Sequence, residues 1–322
     1  MIARRGLIGL GIAAATGLPA RADAYPSKSV RLLVAFPPGG PSDVLARIIG
    51  QRLNEELGQS VIVDNRPGAG GNVAAEIAAK QNPDGYTLLM ANNSILAANA
   101  FLYTHLSFDP LTDFAPVVLI GRQPNILVVS PALGVGSVAE LIALAKAKPG
   151  QLNFGSSGNG TAAHLAGELF RLRAGIDIVH VAYPGAAPAL TDLIAGQIQM
   201  MFATSVAAIP FMQSGTVRAL AVTTAQRSPA ASYLPTMQEA GLTDFEATTW
   251  HGLVVPARTD ASIIGRLNRA TLDALHRPEV GRRLSGLGVE VVGGTAADFG
   301  SYIAAESTKW GAVIRRAGVH LG

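Results

Sequence analysis

The chain has 322 residues, enough for about two domains of ~100–200 residues each, and 49% of them are apolar, so two ordinary cores can be buried. It contains no cysteine, which excludes thiol catalysis, thiolate metal sites and disulfides, and its six histidines include no pair at metal-ligand spacing. With 25 Lys and Arg against 22 Asp and Glu, the charge is too balanced for the basic face a nucleic-acid partner requires.

The first element, residues 1–24, reads as an export signal. Arg4 and Arg5 supply a charged start, Leu7 to Leu18 a short apolar stretch, and Ala22-Asp23-Ala24 a small-x-small cleavage site. The arginine pair suits Sec export and also the twin-arginine route. An uncleaved anchor is the competing reading, but the apolar stretch falls short of the ~20 residues a membrane span needs. Cleavage after Ala24 removes three arginines and one aspartate, leaving 22 basic and 21 acidic residues. Absence of cysteine also suits an oxidising compartment, and the expected location is the periplasm.

Val30 to Phe36 is a predicted strand that ends in Pro37-Pro38-Gly39-Gly40. Apolar residues from Val44 to Leu57 then recur at helical spacing, and Gly58 closes that helix. Ser60 to Asp64 is a second strand, an Ala-rich helix ends near Gln81, and Tyr86 to Ala91 is a third strand. This β-α-β-α-β rhythm implies a parallel sheet flanked by helices. A second block follows, with strands at Ile126 to Ser130, Asn153 to Gly155, Ile178 to Val181, Ile198 to Phe202 and Arg218 to Val222. Its predicted helices begin at Ser137 (with Glu140 as a capping box), at Thr161 and near Ala186, and a short one follows Phe202. Ala115 to Ser130 and Glu246 to Pro256 read as crossings between two lobes. The tail from Asp260 to Arg316 is mostly helical, with one strand at Val289 to Val292, too little for a sheet of its own. The expected fold class is α/β: a two-lobed periplasmic binding protein, each lobe a mostly parallel sheet flanked by helices, joined by a two-strand hinge. Lobe 1 is then residues 25–123 and 252–322, lobe 2 residues 124–251.

Phe36-Pro-Pro-Gly-Gly-Pro-Ser-Asp43, Asn65-Arg-Pro-Gly-Ala-Gly-Gly-Asn72, Asn82-Pro-Asp-Gly-Tyr-Thr87, Phe154-Gly-Ser-Ser-Gly-Asn-Gly-Thr161 and Tyr183-Pro-Gly-Ala-Ala-Pro-Ala189 occur in that order. In this ordered combination, over essentially the whole chain after the leader, the sequence resembles the tripartite tricarboxylate transporter substrate-binding proteins, also called the Bug family. The resemblance implies two lobes closing on a ligand held by loops of both, and delivery of a carboxylate to a membrane permease. The family often carries Asp after a Met-Phe pair; here Ala203 follows Met201-Phe202, which favours solutes without an amino group.

The residues support the same reading independently. Loops 36–43, 155–164 and 183–187 each run from a strand into a helix, where unpaired N–H groups and the helix dipole favour an anion. None contains Lys or Arg. The candidate ligand-binding residues are Phe36, Gly39, Gly40, Ser42 and Asp43 in the first loop, with Asn92 and Ser94 after the third strand. From the second block come Ser156, Ser157, Thr161, Ala162 and His164, then Gly185, Ala186, Ala187 and Thr204. Ser42 and Asp43 equally suit helix capping, His164 a packed helix face, and Asn92 and Ser94 a turn. Gly68 to Gly71 reads as a structural turn, since no Lys-Ser/Thr follows as a phosphate loop needs. Trp250-His251 reads as packing in the crossing. No cofactor and no metal are expected, and the expected partners are a small carboxylate and membrane permease subunits, with the receptor a monomer. A sensor presenting ligand to a membrane kinase is the alternative within binding proteins. A secreted hydrolase built on Ser157 is the alternative from another class, weakened because Asn159 stands where G-x-S-x-G needs its last Gly.

Overall fold

The computed structural model describes residues 25–321; the expected leader lies outside the described residues. Strands β1 (Val30–Val34), β2 (Val61–Asn65) and β3 (Thr87–Asn92) pair in parallel in the order β2-β1-β3. They alternate with helices α1 (Pro41–Leu57) and α2 (Asn72–Ala79), as the rhythm predicts. Pro41 starts α1 where its missing N–H would have no helical partner, and Gly58, left-handed at φ 69°, stops it by donating its N–H to the Asn54 carbonyl. A buried turn at Ser94–Ala98 leads into the short helix α3 (Asn99–Leu102). The apolar run that forms them has too little polar contrast to mark a helix face in the sequence.

Strand β4 (Phe114–Val129) has 16 residues and belongs to two sheets. Its first part pairs antiparallel with β9 (Thr248–Pro256) and β10 (Glu290–Gly293), its last part with β7 (Met200–Thr204) and β8 (Arg218–Val222). In the second sheet, β5 (Asn153–Ser156) pairs in parallel with β6 (Val179–Ala182) and β7. Helices α4 (Val138–Ala147), α5 (Ala162–Ala174), α6 (Ala186–Ile194) and α7 (Ser205–Gln213) connect these strands. The capping box expected at α4 is half formed. Ser137 accepts the Glu140 N–H, but the Glu140 carboxylate takes the N–H of Gly136 instead of that of Ser137.

In the tail, α8 (Ala261–His276) packs on α1, α9 (Pro278–Gly286) leads into β10, and α10 (Ala296–Ala317) lies against β4 and α5. One apolar core runs from Leu33, Leu89 and Trp250 through Ile303 and Ile314 of α10 to Phe154, Phe170 and Phe202, so the two sheets share an interior. Close packing there demands Gly252: a Cβ at that position would lie 2.3 Å from Phe299 Cζ and 2.8 Å from the Val118 carbonyl oxygen. Among the described residues no helix is long and apolar enough to cross a membrane.

Candidate functional site

The C-terminal ends of β1, β3, β5, β6 and β7 face one another across a cleft, the position where open α/β sheets present helix starts to a ligand. The cleft has a cavity volume of about 90 Å³. Phe36, Gly40 and Ser42 line it from the first loop, Asn92 and Ser94 from the end of β3, and Ser157, Thr161 and Ala162 from the second loop. Gly185, Ala186 and Ala187 line it from the third loop, and Thr204 from the end of β7. The starts of α1, α5 and α6 therefore converge. Neither Gly40 nor Gly185, the residues that cap α1 and α6, offers a side chain to the first-turn N–H groups. Among the described residues no Lys, Arg, Asp or Glu lines the cavity. The side-chain oxygens of Asn93, Ser94 and Thr204 are buried at this wall without a hydrogen-bond partner among the described residues.

His251 and Thr249 on β9 also line the cleft, and sequence reasoning assigned this stretch to packing. Antiparallel pairing of β3 with β9 sets His251 opposite Asn92. The Ser42 hydroxyl bonds His251 Nε2 at 2.8 Å. Burial pushes the His251 ring down to about 4, so it is neutral near pH 7. The alternation of β9, with Trp250 turned to the core and its neighbour to the opposite face, was the available signal.

Four sequence candidates do not line the cleft. Asp43 turns away: its carboxylate accepts from the Gly39 N–H at 2.9 Å, Arg47 Nε at 2.8 Å and Asn65 Nδ2 at 3.0 Å. Burial raises its pKa, but these bonds outweigh it and hold the carboxyl below its usual range. Asp43 thus clamps the first loop, and Gly39, its N–H spent on that clamp, also lies off the cavity. Ser156 is fully buried beneath the second loop, bonded to His180 Nε2 at 2.7 Å and to the backbone of Gly158. His164 accepts the Gly160 N–H on Nδ1 at 3.1 Å, and its ring stacks on His180 with centroids 4.0 Å apart. These side chains shape the loop whose upper residues, Ser157 and Thr161, reach the cleft. Ser156 and His180 make a serine–histidine pair, but the hydroxyl is buried off the cavity and, among the described residues, no carboxylate bonds His180.

Burial, the largest cause for each, lowers His164 to about 4 and His180 to about 3. Unfolded, all three histidines titrate near ~6.5. Below that pH the unfolded chain takes up protons that the folded chain refuses, so stability is complete above pH ~6.5 and falls towards pH ~4. At pH 5 the loss approaches about 2 kcal/mol per histidine. We expect the melting temperature to drop by several degrees between pH 7 and pH 5, and a His180→Asn variant to drop less. A flat profile would show that these rings are not held neutral.

A second cavity of about 450 Å³ adjoins the first, sharing Phe36, Pro37, Ser157 and Pro184. Gly68 to Gly71, read from sequence as a structural turn, forms one of its walls, and Tyr103 and Tyr183 form others. Ala203 is buried on β7 and lines neither cavity.

A family profile described as "Tripartite tricarboxylate transporter family receptor" matches residues 45–319. Protein BugT of Bordetella pertussis is 38% identical over 317 residues, covering 98% of this chain and 97% of that protein. Among solved structures, Rpa4515 of R. palustris with adipate superposes with a TM-score of 0.90 at 40% identity, over 92% of this chain and all of the other. MatC (Rpa3494) from Rhodopseudomonas palustris with bound malate gives 0.86 at 30% identity, over 90% of this chain and all of the other.

Proposed function

This chain belongs to the tripartite tricarboxylate transporter receptor family, and on that premise we propose that it captures a small aliphatic carboxylate in the periplasm and delivers it to the permease of a tripartite transporter. Members of the family are solute-binding receptors, and the chain is a binding protein and not an enzyme. One observation supports the ligand class above all: three helix starts meet at a cleft that, among the described residues, no acidic side chain enters. Dipoles and first-turn N–H groups there favour a negative group, and no fixed cation competes to make the site irreversible. Charge-assisted bonds of roughly 1.5–3 kcal/mol each, three to five of them less ordering costs, correspond to micromolar affinity at about −8 kcal/mol.

In this reading Ser42, Ser94 and Thr204 add hydroxyl partners, and neutral His251 orients Ser42. Adipate and malate, the solutes in the two similar structures, are slim dicarboxylates. A head group in the first cavity leaves the adjoining one for the remainder of such a chain. We assign residues 1–24 to the export leader, 25–123 with 252–322 to one lobe and 124–251 to the other. Closure of the lobes about the β4 crossing then couples capture to recognition by the permease.

The test is a thermal-shift screen of refolded, ligand-stripped protein against mono-, di- and tricarboxylic acids, adipate and malate included. A ligand at 100 times its Kd adds ~2.7 kcal/mol, a rise of several degrees. A rise confined to carboxylates supports the proposal, and no rise across the panel overturns the ligand class.

A further inference from the structure

The cavity of about 450 Å³ beside the ligand cleft begins where Phe36, Pro37, Ser157 and Pro184 border both spaces. Among the described residues no Lys, Arg, Asp or Glu lines it, so its walls offer a solute no ion pair. Phe36, Tyr183 and the prolines give it apolar faces. Gly70 and Tyr103 line it but not the cleft, and so mark its remote wall. A Cβ on Gly70 (φ 64°) would lie 3.0 Å from the Tyr103 hydroxyl and 2.7 Å from the Asn159 carbonyl oxygen, which places the phenol oxygen at that wall.

Three neutral side chains on these walls keep hydrogen-bonding capacity in reserve. Ser157 stands at the border with the cleft, and Asn159 and Tyr103 lie beyond it. All three are half-buried, and their side chains make no hydrogen bond among the described residues. None of their polar atoms is shut in by surrounding protein, so a solute can reach them. Burial raises the Tyr103 phenol, with no partner or charge contributing, and it remains a neutral O–H near pH 7. Tyr183, by contrast, is committed: its hydroxyl donates to Asp192 Oδ2 at 2.7 Å. The three free groups can each donate and accept, which matches alcohol hydroxyls, donors and acceptors themselves. A second carboxylate can only accept. It would find no cation here, and would meet the Asp192 charge one hydrogen bond behind the Tyr183 wall.

Resting on the carboxylate reading of the cleft, we propose that the solute is a monocarboxylate with a hydroxylated chain, of the sugar-acid type. Its carboxylate lies at the helix starts, and hydroxyls along its chain meet Ser157, Asn159 and Tyr103. The C–H faces of the chain lie against Phe36 and Tyr183. Tyr103 and Asn159 are then specificity residues: they read the part of the solute remote from the carboxylate, which the helix starts do not touch.

The experiment is calorimetric titration of refolded, ligand-stripped protein with acids of equal chain length. Hexanoate carries the head group alone, adipate adds a second carboxylate, and D-gluconate and D-galactonate add hydroxyls. The better sugar acid should bind about tenfold or more tighter than hexanoate and than adipate, since each neutral hydrogen bond is worth about threefold to tenfold. Tyr103→Phe and Asn159→Ala should each lower the ratio of sugar-acid to hexanoate affinity by about threefold to tenfold. A purely structural role for either residue would weaken all the acids together and leave that ratio unchanged. Sugar acids that bind no tighter than hexanoate or adipate would overturn the hydroxylated chain while leaving the head-group site standing. A ratio that neither variant moves would overturn the assignment of Tyr103 and Asn159. If none of these acids binds, and none in the wider thermal-shift panel, the carboxylate reading of the cleft fails first and takes this inference with it.

Discussion

Replacing Ala187 with Asp should abolish carboxylate capture, by about 100-fold or more, without weakening the fold. Ala187 is exposed at the second position of α6, where it lines the cleft. An aspartate in the first turn of a helix is favoured by the dipole, by 0.3–1 kcal/mol in typical cases. The same carboxylate would occupy the N–H groups that we assign to the ligand. Losing one charge-assisted bond costs about 1.5–3 kcal/mol, and repulsion between like charges at ~5 Å adds roughly 2 kcal/mol at an intermediate dielectric. The sum exceeds the ~2.8 kcal/mol that corresponds to 100-fold. Ala187→Asn, of similar shape and uncharged, should lose less than about tenfold. Calorimetric titration with the acid most effective in the thermal-shift panel gives the affinities, and a melting curve gives the fold. An Asp variant that binds within about fivefold of wild type would remove the start of α6 from the anion site.

Loss of Glu306 should be the most damaging single change to stability that the interior suggests. This residue of α10 is 6% exposed, and its Oε2 accepts the indole N–H of both Trp250 and Trp310, each at 3.0 Å. Both tryptophans are fully buried, and Trp250 meets Phe299 and Tyr302 edge-on. Glu306→Ala leaves two buried N–H donors without an acceptor, at about 1–3 kcal/mol each. We expect about 4 kcal/mol in all, or a fall of about 6 °C in melting temperature for a chain of this size. Glu306→Gln retains a carbonyl oxygen and should recover about half of that loss. Melting of the Ala variant within a degree or two of wild type would mean that the indoles find other acceptors. Trp250 precedes His251 on β9, so this buried carboxylate also steadies the strand beneath the cleft.

Much of this molecule is legible from local chemistry. Alternation at period 2 and 3.6, punctuated by Gly and Pro, marks β1 through β3 and β5 through β8, because strand and helix periodicity are properties of contiguous residues. The Pro-Gly and Gly-Ser loops at helix starts mark the rim of the cleft for the same reason. A run such as Ser94 to Leu102 defeats that reading, since burial on every side erases the periodic contrast. Which way a polar side chain turns is decided elsewhere. Ser156 and Ser157 are neighbours of identical chemistry, yet one bonds His180 beneath the loop and the other faces the cleft. Asp43 is spent on Gly39, Arg47 and Asn65, and Asn65 comes from the end of a different strand. His251 enters the site only because β9 returns antiparallel beside β3 and brings it opposite Asn92. Composition and spacing alone determined the α/β architecture and the Gly-rich loops without Lys or Arg at the helix starts. Side-chain facing and the partner at each donor depend on pleat and register between strands far apart in sequence, which only the tertiary structure decides.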